Sequence, residues 1–533
     1  EGYFVRTLGM HRVYNSAFMN MLKNQENKKY RDTIKQTIGF DPEILKRFVN
    51  FMNNPDEETA IAQFGDGDKY FGVCTLLSTM PGLPMFGHGQ LEGYREKYGM
   101  EYRRAYWDEQ PNQGLLSEHE RRIFPLLRKR YLFSGCDHFQ LFDLVGPFGK
   151  VEESAYCYTN GTDEERSLVL FNNQYEAVEG TIFQSADKLV RHGQERMAEQ
   201  VAQALGVHDE SDRYLVYTQF PEMLTYIRPS CDICRHGCSF HLNGYQTIVF
   251  IRVHEVADTD GTYRTLCETL GGKGVPNLEE EIAMLRLRPL HKLFRSLTAS
   301  PFIHSITRAL DGEESAIRAA AIDLTECYRE LTHYALAMPD EVFRYVRVPV
   351  ANLASKTVLN LLDRQFTPFA KAEGIERHIA QIMPELPYAM IASFIIEPLT
   401  NDVQSVQEAM ALADRILLNR LLAPVLEPLG YSRDEIRGIC HMGAILAVSG
   451  RLTTQREAGK MLEEMMKDHS LWLFAGCNSY HGVTYYRKES MQDLLVLQTL
   501  SLERAGDMSA VALLRQLLAK ESTANYRLDA MQN

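Results

Sequence analysis

Residues 48–60 read FVNFMNNPDEETA, an apolar run that ends abruptly in Asn53, Asn54 and Pro55 and is followed at once by the carboxylate of Asp56. Phe48, Val49, Phe51 and Met52 suit a short buried strand, because aromatic and β-branched side chains fill a pleated, two-sided core. The Asn-Asn-Pro stop sets Asp56 just past the strand's carboxyl end, where parallel α/β folds keep their chemistry. The competing reading is local: Asp56 caps a helix begun by Glu57, Glu58 and Thr59. A second stretch, TMPGLPMFGHGQLEGYREKYG at 79–99, carries His88 between two glycines. His88 lines a site at a strand's carboxyl end or is a satisfied loop histidine. A third stretch, CDICRHGCSFH at 231–241, gathers Cys231, Cys234 and Cys238 with His236 and His241. A C-x-x-C pair with more ligands nearby can hold zinc. This one lacks a second well-spaced pair and reads as strand-turn-strand, so the expectation is that no metal sits there.

The elements that must position these groups change character along the chain. Residues 1–147 alternate short apolar runs with helical patterns, the mark of βα units around a parallel sheet. MHRVYNSAF, KRFVNFMNN and PGLPMFGHG read as three strands; MLKNQENKKYRDTIKQTI, GDKYFGVCTLLSTM and SEHERRIFPLLRKRYLF read as helices. Three strands are too few for a closed barrel, which takes about eight. Residues 148–275 hold alternating runs, SLVLFNNQYEAVEGTIF, RYLVYTQF and YQTIVFIRVHEV, divided by Gly, Asn and Asp, so a β-sandwich is expected. Over 276–533, AIRAAAIDLTECYRELTHYAL, DVQSVQEAMALADRILLNRLLAPVLEPL and MQDLLVLQTLSLERA repeat apolar residues at helical spacing. That region reads as an α-helical domain, with a capping-box pattern at Ser432 to Glu435. The fold class expected is thus α/β, then all-β, then all-α.

Composition excludes some functions. The chain has 533 residues, 45% hydrophobic and 24% charged, enough for several domains with real cores. Its formal net charge is −13 and its Lys and Arg residues are dispersed, so no basic stripe tracks a nucleic acid backbone. No window approaches the roughly twenty apolar residues of a bilayer span, and EGYFVRTLGMHR lacks the layout of a signal peptide. Ten scattered cysteines suit a reducing compartment, and the cytoplasm is expected. The chain opens on Glu1 inside what reads as the tail of a helix, so a fragment of a longer protein is expected.

FVNFMNNPDEETA followed by TMPGLPMFGHGQLEGYREKYG resembles the last two catalytic-face motifs of the α-amylase family of glycoside hydrolases, glycoside hydrolase family thirteen. Gly82, Pro84, Gly89 and Gln90 fit the later motif, while Glu92 is displaced by one residue through Leu91. Most members carry His before the Asp; this chain has Pro55, as maltosyltransferase-like members do. The resemblance implies that Asp56 stabilises the oxocarbenium-like transition state and that Asn54, His88 and Gln90 contact substrate. It implies an α-glucan or maltooligosaccharide as substrate and no cofactor. Residues 1–147 then correspond to strands six to eight of a (β/α)₈ barrel, the C-terminal part, and 148–275 to the all-β domain that follows it. Nothing in 276–533 enters the resemblance, which covers roughly half of the chain.

A retaining glycosidase needs two carboxyl groups about 5 Å apart, a nucleophile and an acid/base. The family supplies them from strands four and five, neither of which is expected here, and Glu1 sits too far down its segment to serve. The chain alone is therefore expected not to turn over an α-glucan. Beside this reading stand a maltosyltransferase-like α-glucan transferase, a non-catalytic carbohydrate-binding scaffold, and a metal-binding interaction protein centred on Cys231. Trp472, Tyr480, Tyr485 and Tyr486, in WLFAGCNSYHGVTYYRKES, offer aromatic faces to a sugar, although such residues more often serve core and surface packing.

Overall fold

A computed structural model of the chain describes residues 5, 7–97, 99, 103–190, 195–337, 380, 382, 384–400, 403, 405–448 and 455–532. Residues 1–4 and 6, at the helix tail expected at the start, lie outside the described residues, as do 338–379 of the helical expectation. The chain divides into two compact units, Glu1–Ile282 and Ala283–Asn533.

The first unit opens with three parallel strands, β1 (Val13–Tyr14), β2 (Phe48–Phe51) and β3 (Leu83–Met85), paired in that order with Val13 opposite Phe48 and Phe51 opposite Met85. Helices Ser16–Lys23 and Asn27–Phe40 join β1 to β2, and Ala60–Phe64 and Asp68–Thr79 join β2 to β3. These are the βα units that the apolar runs announced. The single helix expected over 21–38 is two helices, because Gln25 adopts a left-handed φ of 56° and turns the chain at the junction. Pro84 has no N–H to give to a ladder, and β3 tolerates it as the outermost strand of the three.

The same unit then builds a six-stranded antiparallel sheet. Its strands are β4 (Gln140–Phe142), β5 (Ala155–Gly161), β6 (Arg166–Asn172), β10 (Arg213–Phe220), β11 (Leu224–Pro229) and β13 (Thr247–Ala257), in the order β11-β10-β13-β6-β5-β4. Strands β7 (Val178–Ile182) and β12 (Cys238–Leu242) pair separately, as do β8 (Lys188–Leu189) and β9 (Arg196–Met197). Alternation along the central strands explains their nearly unbroken apolar sequence. Ala155, Cys157, Leu168, Leu170, Ile248 and Phe250 share one core with Val178, Ile182 and Leu242 of the β7–β12 pair. Tyr156, Tyr158, Val169, Phe171, Val249 and Ile251 share the other with Phe18, Ile34, Phe48 and Phe71 of the βα layer. A sheet buried on both faces reads as a run, not as an alternation. The approach is close: a Cβ on Gly72, in helix Asp68–Thr79, would lie 2.0 Å from the Phe171 ring.

Polar groups cross the same boundary. The Arg31 side chain is fully buried and its guanidinium pairs with Glu153 at 2.6 Å and with Asp143, which also takes Lys35 at 2.8 Å. Asn173 donates to Asn27 Oδ1 at 2.8 Å, and Tyr156 donates to the same atom at 2.7 Å. A buried guanidinium is tolerated only with such partners, so these pairs specify how the βα layer and the sheet meet.

One local expectation is corrected. CDICRHGCSFH is not strand-turn-strand: Ser230–His236 is a helix, ended by Gly237 at φ 71°, and only Cys238 onward is strand. Pro229 at the N-cap position pre-sets an extended φ before the first turn, and Ile233 packs into the core, which together favour about two helical turns over an extended run.

The second unit is built largely of helices, among them Glu314–Ala337, Leu386–Ile396, Val406–Arg415, Arg433–Val448, Lys488–Ala505 and Met508–Glu521. Leu386–Ile396 is buried at every position but Tyr388, which suits an apolar central helix. The Ser432 hydroxyl accepts from Glu435 N at 3.3 Å while the Glu435 carboxylate accepts from Ser432 N at 2.7 Å, a complete capping box. A short hairpin, Asn478–Tyr480 with Val483–Tyr485, interrupts the helices around His481 and Gly482, both at positive φ.

Candidate functional site

The loops at the carboxyl ends of β2 and β3 lie side by side, and their polar side chains brace one another. After β2 the chain makes a turn at Pro55 and Asp56, held by Asn54: its Oδ1 accepts from Asp56 N and from Glu57 N, both at 3.0 Å. This is an Asx turn, which an Asn at the first position stabilises without help from elsewhere. The helix that follows is capped by Thr59, whose Oγ1 accepts from Ala62 N at 3.3 Å. Asp56 is therefore not the cap of that helix. Its carboxylate is exposed and makes no hydrogen bond or ion pair among the described residues, while its carbonyl oxygen accepts from Lys97 Nζ at 3.2 Å. Lys97 also stands 3.7 Å from Glu58.

The loop after β3 is fixed from within. Gln90 is 1% exposed, its Oε1 accepts from Gly87 N at 3.2 Å, and its Nε2 points at Met52 Sδ, 3.3 Å away. Asn53 Nδ2 donates across to His88 O at 3.4 Å. Gly87 is required here, since a Cβ would meet the Asn53 side chain at 2.5 Å. Gln63 Nε2 donates to Met52 O at 2.8 Å and Glu58 O at 2.9 Å, closing the base of the first loop. His88 is exposed, with its ring 6.2 Å from Tyr94. Of the four residues singled out in the sequence, the structure thus brings all to adjacent strand ends, with Asp56 and His88 at the surface and Asn54 and Gln90 buried beneath.

Two supports escaped the sequence reading. Tyr70 donates its hydroxyl proton to Gln90 O at 2.8 Å and lies 2.8 Å from His119 Nε2. With the phenolic proton committed to Gln90, the consistent tautomer has His119 Nε2–H donating to the Tyr70 oxygen. His119 is fully buried among Phe71, Phe86 and Phe124. Its signal was periodic: Leu115, His119 and Ile123 stand four apart on one buried helical face.

Burial pushes His119 down to about 4, so it stays neutral in the folded protein where an exposed histidine would be charged. The sign follows directly. Between the ordinary histidine value near 6.5 and about 4, the unfolded chain binds a proton that the folded one refuses, so stability falls as pH drops through that window. The loss is on the order of 2–3 kcal/mol. Urea midpoints measured from pH 7 to pH 4 should decline more steeply for the wild type than for His119→Gln, which keeps a donor for Tyr70 but does not titrate. Parallel curves would show that His119 does not carry the dependence.

Burial also raises the thiol of Cys234, and among the described residues no group of His, Cys, Asp and Glu is arranged to hold a metal ion. Of the aromatics, Tyr486 is buried with its hydroxyl 3.3 Å from Glu521 and Trp472 stacks on His469, whereas Tyr480 is exposed. They lie in the second unit. No helix is long and apolar enough to cross a membrane, among the described residues.

No family model and no curated protein matches the chain. Solved structures are similar to part of it. An Anoxybacillus α-amylase aligns with a TM-score of 0.32 and 10% identity over 47% of this chain and 50% of that one. A maltogenic α-amylase of Thermotoga neapolitana aligns with a TM-score of 0.31 and 11% identity over 46% and 51%. An α-amylase of Geobacillus thermoleovorans, complexed with acarbose, aligns with a TM-score of 0.28 and 14% identity over 42% and 47%. The chain spans about half the length of the solved structures it matches.

Proposed function

We propose that the strand-end loops of the first unit are part of an α-glucan site of the α-amylase type, with Asp56 facing the sugar. The single observation that carries this reading is the placement of an exposed, unengaged carboxylate at the carboxyl end of one parallel strand, beside the exposed His88 at the end of the next. In a retaining mechanism the anomeric carbon gains positive charge as the leaving group departs, and a fixed negative charge beside it lowers the barrier. Asp56 takes that role, His88 contacts the substrate, and Asn54 and Gln90 act by holding the two turns, since their side chains are engaged beneath the surface.

The nucleophile and the acid/base are assigned to no residue of this chain, so cleavage belongs to a protein that supplies them. A transferase reading competes through Pro55, which is exposed and stands where most members of the family the motifs resemble carry His. The reading further takes the enzyme as cytoplasmic. The test uses the purified chain: maltoheptaose should bind measurably in calorimetry while soluble starch releases no reducing sugar. Absence of maltoheptaose binding at millimolar concentration removes the glucan reading, and robust starch hydrolysis removes the assignment of the missing carboxylates.

A further inference from the structure

Beyond the turn at Asp56, the loop that leaves β3 is folded back on itself by two carboxylates. Glu109 accepts from Arg95 N and Glu96 N, both at 2.8 Å, and Glu96 in turn accepts from Tyr106 N at 2.8 Å and Trp107 N at 2.9 Å. Charged acceptors on backbone N–H groups make the strongest local fixings available to a loop. What this clasp holds up is Trp107, 59% exposed, one of two tryptophans in the whole chain. The next residue after Glu96 is Lys97, the one that holds the Asp56 carbonyl, so the clasp and the Asp56 turn are parts of one braced surface.

We propose that Trp107 is a stacking platform for a pyranose ring of the α-glucan whose chain also reaches Asp56, an assignment that rests on the glucan reading. An indole offers a rigid, electron-rich face to the C–H side of a sugar, and its N–H serves a hydroxyl. The surroundings favour a sugar over an apolar protein partner. Arg103, Arg104 and Asp108 flank Trp107 in the sequence and are exposed, and the Glu96 and Glu109 carboxylates are held on backbone N–H groups of the same loop. A protein hot spot is ringed by near-neutral contacts that exclude water, whereas a sugar needs donors and acceptors beside the stacking face.

The second tryptophan makes the test clean. In a Trp472→Phe variant all indole emission comes from Trp107. Titration with maltoheptaose should change that emission saturably, Trp107→Ala should weaken maltoheptaose binding about tenfold by calorimetry, and Trp107→Phe should recover most of the loss. Far-UV circular dichroism of Trp107→Ala should be unchanged, as expected for an exposed residue. Maltoheptaose binding that leaves Trp107 emission unmoved and is equal in wild type and Trp107→Ala overturns the platform while leaving the Asp56 reading in place. No binding by any variant overturns both.

Discussion

Replacing Arg504 by methionine is expected to destabilise the second unit by about 3–5 kcal/mol, the range for stripping one partner from a buried ion pair. Arg504 and Glu397 are 7% and 8% exposed, and the guanidinium donates to Glu397 at 2.7 Å, to Ser393 Oγ at 3.3 Å, and lies 5.5 Å over the Phe394 ring. Methionine fills much of the space but leaves a carboxylate in a region that water barely reaches. The pair itself contributes less than its rupture costs, because both ions were desolvated to make it. The double variant Arg504→Met with Glu397→Gln should therefore recover at least half of the loss. Chemical denaturation of the three proteins decides: a single-variant cost below about 1 kcal/mol would mean that the Glu397 carboxylate does not depend on Arg504 and that the pair contributes no more than a surface one.

What the sequence disclosed and what it hid follow from how local each signal is. RYLVYTQF is β10 residue for residue, and Phe48–Phe51 lies where an aromatic and β-branched run placed a strand, because most of its side chains are buried; Leu83–Met85 is also strand where one was expected, although Leu83 is exposed. The long helices at 314–337 and 488–505 carried a period that nothing else imitates. Short elements were harder. Helix Ser230–His236 is too brief for a period, and its start depends on Pro229 and its end on the left-handed Gly237, neither of which excludes a turn. The hairpin at 478–485 depends on His481 and Gly482 sharing positive φ, inside a stretch whose flanks are helical.

The site shows the same division. Residue types placed Asp56 and His88 at neighbouring strand ends, and the Asx turn at Asn54 follows from its side chain alone. That Gln90 faces inward toward Met52, and that Tyr70 and His119 stand behind it, depends on contacts between residues far apart in sequence. No window of the sequence holds them together.

The largest functional effect belongs to Asp56→Asn. In an enzyme that supplies the nucleophile and the acid/base beside this site, the amide keeps the shape of the turn but removes the charge that faces the developing cation. Loss of one such electrostatic contact is worth about 10²–10³ in kcat. The fold should be untouched, because the Asp56 carboxylate is exposed and the turn is held by Asn54, Gln63 and Lys97. KM should change far less than kcat, since the contact strengthens as charge develops.

The central claim, that Asp56 faces a site where a sugar becomes cationic, is tested most directly on the chain itself by comparing two ligands. Acarbose carries a basic secondary amine where the scissile linkage would be, which becomes cationic when it pairs with a carboxylate, and maltotetraose is a counterpart of similar size without it. Calorimetry of wild type and Asp56→Asn should show acarbose affinity falling about tenfold while maltotetraose affinity stays within about twofold. Equal affinities of wild type and variant for acarbose would contradict the account and remove Asp56 from the site.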